Sequence, residues 1–179
     1  MRTDSERRMR FEAMFATHHD AVRRYIVRRQ AAPLVDDAIA ETFLVAWRRL
    51  DEIPDRTLPW LLGVARRVLA DQRRAVYRRR SLSERLRIDI LTDGLAGDWE
   101  PPAALTPELA SALAALTEHE REALLLVAWD ELSPADAARV AGCSAMAFRV
   151  RLHRARRRVA DRLGIEGAGR TNATKEKLA

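Results

Sequence analysis

Residues Leu132 to Leu163 read LSPADAARVAGCSAMAFRVRLHRARRRVADRL, and this stretch decides how the second half of the chain folds. Ser133 and Pro134 suit the cap and the first turn of a helix, and Gly142 accepts the left-handed conformation that ends one. Ser144 can then cap a second, longer helix. A short helix, a tight turn and a long basic helix together indicate a helix-turn-helix.

The longer helix divides into an apolar stripe and a basic face. At helical spacing, the residues expected to pack inward are Phe148, Leu152, Ala155, Val159 and Leu163. Arg149 and His153 lie near the start of the helix, where side chains can reach base edges in the major groove. Arg156, Arg157 and Arg158 lie further along, where contact with phosphates is expected. The alternative is a solvated basic helix in a helical hairpin that binds no DNA.

The rest of the sequence is helical by periodicity and punctuation. Caps at Thr106-Pro107 and Thr117–Glu120 begin two further helices in the C-terminal half, which makes four there. Apolar residues recur at spacings of three and four in three N-terminal segments. Pro54 and Pro59 bracket a short loop before the third, which begins near Leu61. We expect an all-α fold with a helical bundle and a helix-turn-helix domain joined by a flexible linker.

The net charge is distributed unevenly along the 179 residues. The formal charge of +6 comprises +7 over residues 1–80, −3 over residues 81–104 and +2 over residues 105–179. The acidic stretch contains two glycines and two prolines, which is typical of a linker. We expect domains at 8–80 and 105–163, a linker at 81–104 and a disordered tail at 164–179. A basic helical chain favours nucleic acid as its partner.

Composition and spacing exclude several classes of protein. The single cysteine, Cys143, excludes a disulfide framework and a cysteine-based zinc site. The four histidines are not at metal-ligand spacing, and the sequence has no glycine-rich phosphate loop. No apolar run approaches the roughly 18 residues of a membrane span. We therefore expect no enzyme, no cofactor, no metal site and no membrane insertion, and a cytoplasmic location.

Two N-terminal helices each admit two interpretations. The second helix carries Asp37 and Glu41 four residues apart on one side, so it is either a protein-docking face or a core helix with charged ends. The third helix carries arginines over about four turns near Trp60 and Tyr77, which suits a DNA backbone with unstacked bases. A charged, solvated surface explains the same pattern. For the second helix, periodicity alone favours a core helix with charged ends. For the third helix it does not choose between the two interpretations.

Three segments, in this order, are similar to segments of one protein family. The sequence DAIAETFLVAWR at residues 37–48 resembles a helix of region 2 in the extracytoplasmic-function (ECF) sigma factors of bacterial RNA polymerase. The sequence WLLGVAR at residues 60–66 resembles the segment that follows that helix, and residues 132–157 resemble the helix-turn-helix of region 4. The likeness covers about residues 8–80 and 105–163.

The resemblance implies that the N-terminal domain binds polymerase and opens the −10 promoter element. The implied contacts of its second helix with the β′ clamp helices are Asp37, Glu41, Phe43 and Trp47, the last partly structural. The loop from Asp51 to Leu58 corresponds to the family's loop that captures a flipped base, which requires a fitted pocket. The implied −10 contacts are Asp51, Ile53, Arg56, Arg66, Arg67, Arg73 and Arg74.

The resemblance also implies that the C-terminal domain reads the −35 element. The implied −35 contacts are Ser144, Arg149, Val150, His153, Arg154 and Arg157. The partners implied are core RNA polymerase, through its β′ clamp helices and β flap, promoter DNA and an anti-sigma factor.

The chain departs from the family's pattern at three points. Arg67 stands where the family usually has asparagine. The −10 loop is about two residues shorter than is common, with Ile53 where an aromatic residue is frequent. Met146 and Ala147 replace a Gly-Thr pair before the first core residue of the recognition helix, and Val150 replaces a small polar residue. The family's promoter sequence therefore does not transfer to this chain.

The leading hypothesis is an alternative sigma factor, which binds core RNA polymerase and directs promoter-specific initiation at −10/−35 promoter DNA. One alternative is a one-component helix-turn-helix regulator whose N-terminal domain senses a ligand or dimerises. Another is a helical adaptor that binds no DNA. A regulator binds its promoter alone, whereas a sigma factor acts with core polymerase.

Overall fold

A computed structural model describes residues 4–29, 32–83 and 105–165. Over these ranges the chain forms seven α-helices and two 3-10 helices, at Ala32–Leu34 and Leu50–Glu52, and no strand, which confirms the all-α prediction. The α-helices are α1 (Asp4–Val27), α2 (Val35–Arg48), α3 (Thr57–Ser83), α4 (Pro107–Ala114), α5 (Glu118–Ala128), α6 (Pro134–Val140) and α7 (Ala145–Leu163).

The chain divides into two compact units, Met1–Glu100 and Pro101–Ala179. Helix α3 continues to Ser83 and so enters the stretch predicted as linker by three residues. The rest of that predicted linker, residues 84–104, and residues 166–179 of the predicted tail lie outside the described residues.

The N-terminal unit is built from α1, α2 and α3, each of which packs against the other two. Each helix contributes one apolar stripe, because residues three and four apart share a face. The largest buried side chains of this core are Tyr25, Ile26, Phe43, Leu50, Leu61 and Leu62. Burial of a single leucine or isoleucine side chain stabilises the folded state by about 1.5–3 kcal/mol, so packing of these stripes holds the unit together.

Helix α3 begins at Thr57, earlier than the sequence predicted. Pro59 lies in its first turn, where the missing N–H of proline is not needed for an intrahelical hydrogen bond. The prediction that Pro59 closes a loop before a helix at Leu61 was therefore wrong. The connection after α2 consists of Arg49, a 3-10 turn at Leu50–Glu52 and residues 53–56.

The C-terminal unit has α7 at its centre, in contact with α4, α5 and α6. The predicted caps at the starts of its four helices are confirmed. At each start, the hydroxyl oxygen of a threonine or serine accepts a hydrogen bond from the backbone N–H three residues further on. The caps are Thr106, Thr117, Ser133 and Ser144. Gly142 and Gly164 both have a φ of 65°, as expected for glycines that follow a helix or end one.

Glu120 joins the start of α5 to α7. Its Oε2 accepts hydrogen bonds from the Thr117 backbone N–H at 3.2 Å and the Thr117 hydroxyl at 2.9 Å, which forms one half of a capping box. The same oxygen accepts from Nη1 of Arg158 at 2.7 Å, and the Glu120 side chain is 7% exposed. A carboxylate buried to this extent requires such partners, because an uncompensated charge is costly there.

Replacement of Glu120 by alanine is expected to destabilise the C-terminal unit by about 1–3 kcal/mol, because the cap and the contact with Arg158 are lost together. Glu120→Gln retains a capping oxygen but loses the charge, so a smaller loss is expected. Hydrogen exchange of the α5 and α7 amides in the full chain measures this locally. Equal exchange in Glu120→Ala and the unaltered chain would contradict the assignment.

Candidate functional site

The exposed face of α2 combines acidic and apolar side chains. Asp37, Glu41, Leu44 and Trp47 are all exposed, and they follow one another at spacings of three and four residues. They therefore lie along one side of the helix. Leu44 is 46% exposed, and the sequence analysis did not single it out. The sequence did indicate that Leu44 belongs to this face, because Leu44 continues the spacing of three and four residues from Asp37 to Trp47.

Phe43 is 4% exposed and belongs to the core behind that face. Its ring centroid lies 4.6 Å from that of Phe15 and 6.4 Å from that of Phe11, both on α1. The Phe11 ring also contacts Trp47 edge-to-face at 5.3 Å. The predicted partner contact at Phe43 thus falls on a side chain that packs α1 against α2. Trp47 is 37% exposed and also contacts Phe11, so it takes part in the packing of α1 against α2.

The connection after α2 is fixed to α1 by two arginines. Nη1 of Arg7 contacts Oδ2 of Asp51, and Nη1 of Arg10 lies 3.8 Å from Oδ1 of the same carboxylate. Nη2 of Arg10 donates to the backbone oxygen of Ile53 at 3.5 Å. The Ile53 side chain is 7% exposed. Three residues of this connection were predicted to contact −10 DNA. Asp51 forms ion pairs with α1, and Ile53 is part of the core. Arg56 has an exposed side chain.

Arg49, the first residue of this connection, contacts both Glu52 within the connection and Trp60 on α3. Its Nε donates to Oε2 of Glu52 at 2.8 Å, and the guanidinium carbon lies 5.9 Å from the centroid of the Trp60 ring on α3. The hydrogen bond to Glu52 and the charge of Glu52 raise the pKa of Arg49. Pro54, Asp55 and Arg56 form the exposed tip of the connection.

The arginines of α3 differ in their surroundings. Nη2 of Arg73 donates to the backbone oxygen of Arg29 at 2.7 Å, so its guanidinium holds the turn that follows α1. Arg74 pairs with Asp71 on its own helix. Arg67 is exposed and Arg66 is half-buried. Arg67 and Arg74 thus have exposed side chains, although Arg74 is in an ion pair on its own helix. Arg73 differs because it contacts the backbone of a residue outside α3.

The structure confirms the helix-turn-helix of the C-terminal unit. Helix α6, a turn with a left-handed Gly142 and helix α7 follow one another, and the Ser144 hydroxyl accepts from the Ala147 N–H at 3.2 Å. Phe148, Leu152 and Ala155 are buried as predicted. The predicted −35 residues that are exposed are Ser144, Arg149, Val150, His153, Arg154 and Arg157. Arg158, which the sequence placed among phosphate contacts, instead pairs with the buried Glu120.

The described ranges contain no cluster of three or more His, Cys, Asp or Glu that could hold a metal ion. No helix among them is long and apolar enough to cross a membrane.

The described residues define a helical protein with a helix-turn-helix of the DNA-binding class. A family model described as Sigma-70, region 4 matches residues 107–159. The chain is 36% identical over 149 residues to the ECF RNA polymerase sigma factor SigC of Mycobacterium tuberculosis, with 81% of this chain and 78% of that protein covered. It is 34% identical over 146 residues to the ECF RNA polymerase sigma factor SigF of Caulobacter vibrioides, with 79% of each chain covered.

Two solved structures have a similar fold. The sigma factor RpoE, crystallised with the anti-sigma factor NepR from Bartonella quintana, gives a TM-score of 0.66 at 22% identity, over 88% of this chain and 98% of that one. CnrH in complex with the cytosolic domain of CnrY gives 0.57 at 25% identity, over 88% and 89%. The chain belongs to the extracytoplasmic-function sigma factors of RNA polymerase.

Loss of the Asp51 carboxylate is expected to loosen the connection after α2 without unfolding the unit. In Asp51→Asn the ion pairs with Arg7 and Arg10 weaken, and exposed pairs of this kind contribute about 0–1 kcal/mol to stability. Hydrogen exchange over residues 51–56 should become faster while the core of α1 to α3 stays protected. Arg8→Gln, at an exposed neighbouring position on α1, is the control and should change neither. Unchanged exchange in Asp51→Asn would contradict the role of these ion pairs.

Proposed function

We propose that this chain is an alternative sigma factor that binds core RNA polymerase through α2, opens the −10 element with the connection after α2 and with α3, and reads the −35 element with α7. Its similarity to ECF sigma factors over about four-fifths of its length carries this proposal, because that length includes both units. The exposed basic stripe of α7 supports the DNA-binding part independently.

Polymerase docking is assigned to the exposed face of α2. Leu44 and Trp47 offer apolar area, and Asp37 and Glu41 offer negative charge on the same side of the helix. A face of this composition fits a partner surface that carries basic groups around an apolar centre. Phe15, an exposed ring on α1 that contacts Phe43, extends the apolar area. In this assignment Phe43 supports the face from beneath.

Opening of −10 DNA is assigned to exposed groups between α2 and α3. The phosphates of a separated strand are assigned to Arg67, Arg74 and Arg56, because all three side chains are exposed, and Arg66 lies on the same helix as the first two. Asp51, Ile53 and Arg73 contribute by fixing the connection and the turn that follows α1, since their polar or apolar contacts lie within the unit. Such fixing favours base capture because less of the loop has to become ordered on binding.

Reading of −35 DNA is assigned to α7, from its cap at Ser144 to Arg157. Arg149 and His153 are exposed four residues apart, which suits adjacent base edges in a major groove. Ser144 at the helix start and Arg157 further along suit phosphates, because helix N-termini and arginines bind anions. Arg154 flanks the same stripe. Contact of the same unit with the polymerase β flap, which the family implies, forms part of this proposal.

Transcription in vitro tests this function. Purified core polymerase is given the full chain and fragmented DNA from its source genome, and transcript starts are mapped. Starts that share −10 and −35 elements and require both the chain and core polymerase are expected. A promoter bound by the chain alone, with no dependence of transcription on it, would instead favour a one-component regulator. Absence of both would favour a helical adaptor.

Inhibition by an anti-sigma factor is proposed as well. CnrH, whose fold matches this chain at a TM-score of 0.57, has a solved structure in complex with the cytosolic domain of CnrY. The exposed apolar residues Phe15, Leu44 and Trp47 give this chain a surface that such a protein could cover.

Removal of the acidic groups of α2 is expected to weaken polymerase binding. In Asp37→Ala with Glu41→Ala, the affinity for core polymerase should fall about 3- to 30-fold, because charges at the edge of an interface contribute modestly. Both side chains are exposed, so the fold should stay intact. Glu108→Ala, at an exposed acid in α4, is the matched control. The measurement is a fluorescence titration of the variant with core polymerase. Unaltered affinity of the double variant would contradict the assignment of α2 as the docking surface.

Truncation of Arg149 is expected to relax −35 specificity. The variant Arg149→Ala should lose about 1–3 kcal/mol of binding on promoters with the preferred −35 sequence and much less on the others. Arg162→Ala, an exposed arginine in the last turn of α7, is the control. The measurement is initial transcription rate over a panel of −35 variants. An equal loss on every sequence would assign Arg149 to a phosphate.

A further inference from the structure

Two apolar side chains are exposed at the start of α7. Met146 is 69% exposed and Val150 is 42% exposed. Over the described part of the C-terminal unit, the only other exposed large apolar side chain is Ile165, which lies beyond the end of α7. Met146 and Val150 are therefore unlike the rest of the unit, which buries its large apolar residues.

Met146 and Val150 lie on the face of α7 that points away from the core. They are four residues apart, so they are neighbours on the helix surface. Phe148 and Leu152, at 0% and 5% exposure, occupy the opposite, packed side. Arg149 and His153 continue the exposed face along the helix. The apolar pair thus lies on the same surface as the basic groups assigned to base edges.

The charge around the pair decides what can cover it. Among the described residues, α7 carries exposed arginines at 149, 154, 156, 157, 158 and 162 and a single acid, Asp161. A surface with this charge attracts DNA. Two side chains are also too few for the apolar centre of a stable protein interface, which buries about 800 Å² on each partner.

The major groove presents one apolar group on its base edges, the C5-methyl group of thymine. We propose that Met146 and Val150 contact thymine methyl groups in the DNA element that α7 reads, and so select thymine at these positions. This inference rests on the proposed reading of −35 DNA by α7. Ser144 supports it by fixing the first turn of α7, where Met146 is the second residue.

Uracil differs from thymine by the absence of that methyl group, so it tests the contact directly. Each thymine of the −35 element found by start mapping is replaced in turn by uracil. Holoenzyme formed with the unaltered chain should bind at least one uracil-substituted promoter about 3- to 5-fold more weakly, as expected for the loss of one buried apolar carbon. The base pair and its hydrogen bonds remain unchanged.

Two variants show which side chain causes the sensitivity of binding to uracil. In Met146→Ala and Val150→Ala, binding to the thymine promoter should weaken about 3- to 5-fold, and the uracil effect should disappear at the base that each side chain contacts. Both side chains are exposed, so the unit should keep its stability. Ile165→Ala removes an exposed apolar side chain elsewhere and should retain the full uracil effect.

Several outcomes overturn the inference. A −35 element without thymine, or one with no uracil-sensitive position, removes the proposed contact while leaving reading by α7 intact. Persistence of the uracil effect in both variants assigns the methyl contact to other residues. A loss of core polymerase binding in Met146→Ala or Val150→Ala makes the pair a protein contact. Absence of any promoter-dependent start is a different result, because it refutes the proposed function itself.

Discussion

Burial of one apolar face of each helix is the constraint on which both units depend. A unit of three or four helices buries only the stripe that each helix turns inward, so the opposite stripe stays in water. In α2 that outer stripe carries acids with Leu44 and Trp47, and in α7 it carries arginines with Met146 and Val150. The core therefore sets which residues are left to meet a partner, and packing precedes function in both units.

Polar contacts then orient those outer faces. Glu120 is a capping residue of α5, but its carboxylate also binds Arg158 and so links α5 to α7. In the N-terminal unit, Arg7 and Arg10 hold the connection after α2 through Asp51 and the Ile53 backbone. These contacts are individually modest because they lie near solvent. Together with the buried Ile53 side chain they leave Pro54 to Arg56 as the exposed tip.

The division of the arginines follows from the same packing. Arg149 and Arg158 lie on one helix and look alike in a list of basic residues, but one faces solvent freely and the other pairs with a buried carboxylate. Arg73 likewise differs from Arg67 on α3, because its guanidinium hydrogen-bonds to the turn that follows α1. Net charge by itself therefore overstates how many groups are available to DNA.

The sequence by itself determined the number of helices in the described ranges, the caps of the C-terminal unit, the left-handed turn at Gly142 and the family, because periodicity, capping and motif order are read along the chain. The same holds for the buried stripe of α7 and its exposed partner stripe. The sequence placed the start of α3 too late, because a first helical turn also accepts proline. Only the tertiary structure decided that Ile53 is a core residue, that Asp51 is held by α1 and that Arg158 binds Glu120. Each of these contacts joins residues that are distant in the chain and come together only when the helices pack. The spacing of residues along a single helix therefore cannot predict them.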